Sequence, residues 1–129
     1  MSIQAAMDGL QIHVLLVDDN EAFRRAATDF LQRQHELTVV GAIGGGEEAL
    51  AQAQELQPQV ILVGLDTLGL GIIARLRKAL PRVGIIAQSL LNGGIYRQAV
   101  LAAGADDLVR KAELSTDLLP AIRRVMCAK

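Results

Sequence analysis

Four aliphatic residues, Val14 to Val17, end abruptly in two adjacent carboxylates, Asp18 and Asp19, and a helical repeat starts almost at once. The pattern then recurs along the chain. Short apolar runs, too brief for helices, alternate with segments whose apolar residues return every three or four positions. That alternation constrains the fold more than anything else. Strands separated by helices pair in parallel, and a parallel sheet must be covered on both faces.

Val14 to Val17 reads as the first strand. Glu21 to Arg33 follows as a helix with Phe23, Ala26, Ala27, Phe30 and Leu31 on one face, and Asn20 is placed to cap it by accepting a backbone N–H. Leu37 to Ala42 is the second strand. Gly44-Gly45-Gly46 turns into a helix from Glu47, with Leu50, Ala53 and Leu56 inside and Pro58 as its stop. Val60 to Val63 is the third strand, almost purely aliphatic, as a strand buried on both sides should be. Gly64 to Gly71 is predicted to be a loop before a helix that buries Ile73, Leu76 and Leu80 and closes at Pro81. Gly84 to Ala87 is the fourth strand. A break at Asn92-Gly93-Gly94 precedes a helix from Ile95 to Ala103, with Gly104 as its C′ residue. Leu108 to Arg110 is the fifth strand. The last helix is predicted from Asp117, which puts Pro120 in a first turn where its missing N–H costs nothing.

Right-handed crossovers leave few ways to assemble five such units. The expected fold is α/β in three layers, a five-stranded parallel sheet of order 2-1-3-4-5 with five helices, flavodoxin-like. Residues 1–11 read as a tail and 12–129 as one domain. With 51% hydrophobic but only 2% aromatic residues, Leu, Ile, Val and Ala must fill the core. Thirteen basic residues against 14 acidic give a net charge of −1, which argues against nucleic acid or a membrane surface as the main partner. No apolar stretch reaches the roughly 18 residues of a spanning helix. There is no signal-peptide layout, and the single Cys127 cannot form an internal disulfide, so a cytoplasmic location is expected.

In a parallel sheet ligands sit at the carboxyl ends of the strands, which is where Asp18 and Asp19 fall. Paired carboxylates favour a hard divalent cation and repel bare phosphate. The glycine triplet has neither phosphate-loop pattern, and Glu47 and Glu48 follow it. His13 and His35 show no metal-ligand spacing and read as strand-edge and helix-end residues. Arg123 and Arg124 read as complements to the negative end of the last helix.

Val17-Asp18-Asp19-Asn20 with Phe23-Arg24, the strand Pro58-Gln59-Val60-Ile61-Leu62-Val63, and Ala102-Ala103-Gly104-Ala105-Asp106 followed by Lys111 together resemble the receiver domain of bacterial response regulators. The likeness runs from His13 to about Met126. Ser89, fifteen residues before Gly104, falls at the family's switch hydroxyl, at the spacing of the NarL/LuxR-type subgroup. That resemblance implies phosphoryl transfer from a histidine kinase to an aspartate ending the third strand. It also implies a magnesium ion on the acid pair and a lysine that binds the phosphoryl group.

The same alignment puts Gly64 at the acceptor position, shortens the loop after it, and replaces the aromatic switch residue with Leu108. An atypical receiver without its phosphorylation chemistry is expected: a non-enzymatic, phosphorylation-independent interaction module. No cofactor is required, and magnesium at Asp18 and Asp19 is expected to be weak if bound at all. Lys111 is expected to pair with Asp18 or Asp19, and Ser89 to serve as a loop or cap hydroxyl. Asp66 is the alternative acceptor, in a register that lengthens the third strand by two residues. A further alternative is the receiver half of a DNA-binding regulator, although nothing in these residues supplies a DNA-binding domain. Protein partners, a signalling kinase or a downstream effector, are expected on the face of the fourth helix, fifth strand and fifth helix around Tyr96, Arg97, Leu108 and Arg110. A homodimer would use the same face.

Overall fold

The computed structural model of the chain describes residues 11–90 and 94–129, apart from the side chains of residues 66–68 and 95. Five strands, β1 (Ile12–Val17), β2 (Leu37–Ile43), β3 (Val60–Gly64), β4 (Gly84–Ser89) and β5 (Asp107–Arg110), alternate with five helices. These are α1 (Glu21–Gln32), α2 (Gly46–Leu56), α3 (Leu65–Ala79), α4 (Gly94–Ala103) and α5 (Leu114–Ala128). All pairings are parallel and the sheet order is β2-β1-β3-β4-β5, as the sequence predicts.

Strand alternation splits the core in two. Leu15, Val17, Ile61, Val63, Ile85 and Ala87 face one side, where α2, α3 and α4 add Ala49, Ala53, Ile73, Leu76 and Val100. Val14, Leu16, Leu62, Ile86 and Val109 face the other, where α1 and α5 add Ala27, Leu31, Leu118, Ala121 and Ile122. The central strand β3 is buried along its whole length, so its lack of polar residues follows directly.

The local signals hold at several ends. Asn20 Oδ1 accepts from the Phe23 amide at 2.9 Å and caps α1. Gly104 follows α4 with φ 121°, a conformation that disfavours a Cβ. Residues 92 and 93 of the expected break, and residues 1–10 of the expected tail, lie outside the described residues. Gln11 is described, and its side chain donates to the His35 carbonyl at 3.3 Å.

Three expectations are corrected. The segment from Gly64 to Gly71 is not a loop: the chain turns helical at Leu65 and breaks only at Gly69, whose φ of 75° no ordinary side chain favours. Leu65, 2% exposed, drives that early start by burying itself in the core. The last helix begins at Leu114 rather than Asp117, directly after a 3-10 turn over Lys111–Glu113, so Pro120 lies inside it, beyond the first turn. Leu118 and Ile122, both fully buried, hold that helix down despite the proline. Ala26 is exposed; α1 turns its narrow face, Ala27 and Leu31, to the sheet.

Arg77, near the end of α3, ties together the connection before β4 and the connection before β5. Its guanidinium donates to the carbonyls of Gly104 (2.9 Å), Pro81 (3.0 Å) and Val83 (2.6 Å), and pairs with Asp106 Oδ2 at 2.8 Å. That same Oδ2 accepts from the Ile85 amide. Arg77→Ala is expected to lower unfolding free energy by about 2–3 kcal/mol, read from urea denaturation, because several charge-assisted bonds to backbone are lost at once.

Candidate functional site

The site is a row of residues across the carboxyl edge of the sheet. Val17 pairs with Val63, Gly64 with Gln88, and Gln88 with Val109. Asp18, one step beyond Val17, therefore stands beside Gly64. The row faces α1 and α5, because Leu16, Leu62 and Ile86 lie two residues earlier on that side.

Asp18 is 2% exposed. Its Oδ1 accepts from the Asn20 amide at 2.9 Å. Its Oδ2 lies 2.7 Å from Lys111 Nζ, and these two side chains are 2% and 8% exposed. Lys111 Nζ also sits 4.3 Å from the centre of the Phe23 ring, a cation–π arrangement that further holds the ammonium out of water. Removing either partner of a pair this buried typically costs about 3–5 kcal/mol, because the survivor is left uncompensated.

The geometry around Gly64 decides the site's character. A Cβ added there would fall 2.0 Å from Asp18 Oδ2 and 2.5 Å from Asp18 Cγ. The Asp18 carboxylate thus fills the volume that a side chain at position 64 would need. Arg24, which sequence reasoning left out of the pocket, donates from Nη1 to the Asp18 carbonyl at 2.8 Å. It passes close over Gly44, where a Cβ would lie 3.0 Å from Nη1. Asp18 thus has Lys111 against its carboxylate and Arg24 against its backbone carbonyl.

Magnesium takes six oxygens in a near-octahedral shell, usually one or two carboxylates with waters making up much of the rest. Among the described residues no group of three or more His, Cys, Asp or Glu side chains could hold one. One oxygen of Asp18 is committed to Lys111 and the other to a backbone amide, while Asp19 is exposed. As arranged, the residues do not fit such an ion.

The other predicted residues separate. Ser89 is the last residue of β4, 1% exposed and in register with Arg110, so it is a buried strand residue rather than a loop or cap hydroxyl. Tyr96 and Leu108 are half-buried and pack on the α2–α4 side of the core. Arg110 pairs with Glu113 at 3.0 Å. Asp66 has its backbone in the first turn of α3, and its side chain is outside the described set. β3 stops at Gly64, so the lengthened strand its acceptor role required is not formed.

Sequence reasoning missed Asp107. Its Oδ1 accepts from Arg97 of α4 at 3.0 Å and from the Leu108 amide at 2.8 Å, and its Oδ2 from Arg124 of α5 at 3.0 Å. No spacing rule could have found it, since its partners lie ten residues upstream and seventeen downstream. Arg124 and Arg123 are therefore not dipole complements; Arg123 pairs with Glu36. Burial pushes the Asp107 carboxyl up, but the Leu108 amide and the two guanidiniums outweigh it and hold it below the usual carboxylate range.

Gln88 is fully buried, and among the described residues neither amide atom has a hydrogen-bond partner. An unpaired buried amide costs about 1–3 kcal/mol. Gln88→Leu, of similar volume, is expected to raise the urea midpoint, or at worst leave it unchanged; a clear loss would mean the amide is paired in solution. For Asp107 the sign follows from its lowered folded value. Its contribution is fully present above the unfolded value of about 3.9 and is lost as pH falls below it. Asp107→Asn should cost about 1–2 kcal/mol at neutral pH, and the gap from wild type should close on acidification below about pH 4.

Comparisons with known proteins bear on this arrangement. The family model for the response regulator receiver domain matches residues 14–123. Response regulator protein VraR of Staphylococcus aureus is 32% identical over 120 residues, covering 89% of this chain and 56% of its own length. The chain thus spans about half the length of the curated relatives it matches. The response regulator domain of Thermotoga maritima CheB superposes with a TM-score of 0.80 at 27% identity, over 90% of this chain and 96% of that one. The RcsB response regulator of Salmonella typhimurium superposes with a TM-score of 0.83 at 21% identity, over 93% of this chain and 62% of that one, a likeness of fold.

Proposed function

The chain belongs to the response regulator receiver domain family of two-component systems, and from that premise we propose that it signals by protein contact without forming an aspartyl phosphate. One observation carries the reading. The position that ends β3 is Gly64, and the Asp18 carboxylate lies where a side chain at that position would begin. Phosphoryl transfer to an aspartate needs an attacking carboxylate oxygen at that point, and glycine has none. The lysine that would receive a phosphoryl group is already neutralised by Asp18.

The module is read as non-enzymatic and cytoplasmic. Among the described residues no helix is long and apolar enough to cross a membrane. Its partner is a signalling kinase or a downstream effector, met on the face of α4, β5 and α5. Arg97, with its side chain 48% exposed, and Arg110, 42% exposed, offer charge there, and the Asp107 bridge keeps α4 and α5 in a fixed relation. Self-association would use the same face. The two-component response regulator RcsB has been solved as a complex with DNA, but DNA contact is not proposed for these residues.

Incubation with a small acyl phosphate and Mg2+, followed by intact-mass measurement, should leave the wild-type mass unchanged. A phosphoryl adduct that disappears in Asp66→Ala would overturn the reading in favour of a displaced acceptor.

A further inference from the structure

We propose that the glycine at position 64 has changed the work of Asp18, from a ligand for a divalent cation to the resident counter-ion of Lys111, so that cation and lysine compete for one carboxylate. The inference rests on reading Gly64 as the emptied acceptor position. Three observations lead to it. Asp18 Oδ2 lies 2.0 Å from where a Cβ at Gly64 would sit, so this placement exists only because that atom is absent. In the same place Oδ2 reaches Lys111 Nζ at 2.7 Å, and the pair is buried. As placed, one Asp18 oxygen lies against Lys111 and the other accepts from the Asn20 amide, and among the described residues no third acid, histidine or cysteine completes a cluster with the pair.

Any side chain at 64 must therefore turn the Asp18 carboxylate out. The clash is with the movable end of one side chain, so rotation rather than unfolding is the expected response. Once turned, Asp18 loses Lys111 and lies beside Asp19, where the two carboxylates can share an ion. Gly64→Ala adds only the displacing methyl and no new ligand, which separates this effect from the addition of a third acid. Lys111→Met frees Asp18 by the opposite route and keeps a long side chain over Phe23.

The test is a Mg2+ titration of the full chain labelled with 13C at its aspartate carboxyl carbons, read by NMR. In the wild type the Asp18 carboxyl resonance should not move with Mg2+. In Gly64→Ala and in Lys111→Met it should move, with Mg2+ binding tighter than wild type by about tenfold, the lower end of what neighbours of a metal ligand change. A wild-type Asp18 resonance that shifts with Mg2+ overturns the proposal and needs no variant to fold. So does a folded Gly64→Ala or Lys111→Met with unchanged affinity. The phosphodonor assay above is independent: an adduct there would sink the reading of Gly64, whereas a metal response here would sink only the reassignment of Asp18.

Discussion

The buried ion pair between Asp18 and Lys111 is the constraint on which the carboxyl edge of this sheet depends. Asp18 follows β1 and Lys111 follows β5, with β3 and β4 between them in the sheet. The pair therefore straps the outer strand to the middle of the fold. It can do so because position 64 carries no side chain to stand in the way. A buried pair is weak evidence for net stability, since desolvation offsets much of its attraction. Its consequence is geometric: it fixes where Asp18 lies, and thereby what the pocket can hold.

Around that strap, charged side chains hold the periphery and aliphatic ones the centre. Arg77 joins α3 to the connections that lead into β4 and β5 through backbone carbonyls and Asp106. Asp107 joins α4 to α5 across the edge strand through two arginines. Both are partly shielded from water, so their bonds to charged groups carry more weight than exposed pairs such as Glu47–Arg75. The face proposed for partner contact is built on the Asp107 bridge, which gives it a fixed shape without any covalent switch.

In the proposed reading the scaffold and the chemistry have separated in this chain. The family's strand order and core are present, and the residue that ends β3 is Gly64, which the proposed function reads as the acceptor position. The remaining acid and lysine have turned toward each other. A fold does not by itself dictate what a domain does. Here a single missing side chain is enough to redirect the residues around it, because a carboxylate one strand away can enter the volume it leaves.

Much of this was legible in the sequence. The five strands, the cap at Asn20 and the left-handed Gly104 all follow from local patterns, because period, caps and backbone freedom are properties of neighbouring residues. The sequence also placed Gly64 directly after the third strand, and β3 ends on it. The helical start at Leu65 and the early start of α5 were not legible: Leu65, Leu118 and Ile122 gain burial only against strands distant in the chain. Nor could residue order choose between Asp18 and Asp19 as the partner of Lys111, find the Asp107 bridge, or bring Arg24 into the pocket. Those contacts join segments that only the folded sheet brings side by side, and the sequence alone determined the strands that make such a meeting possible.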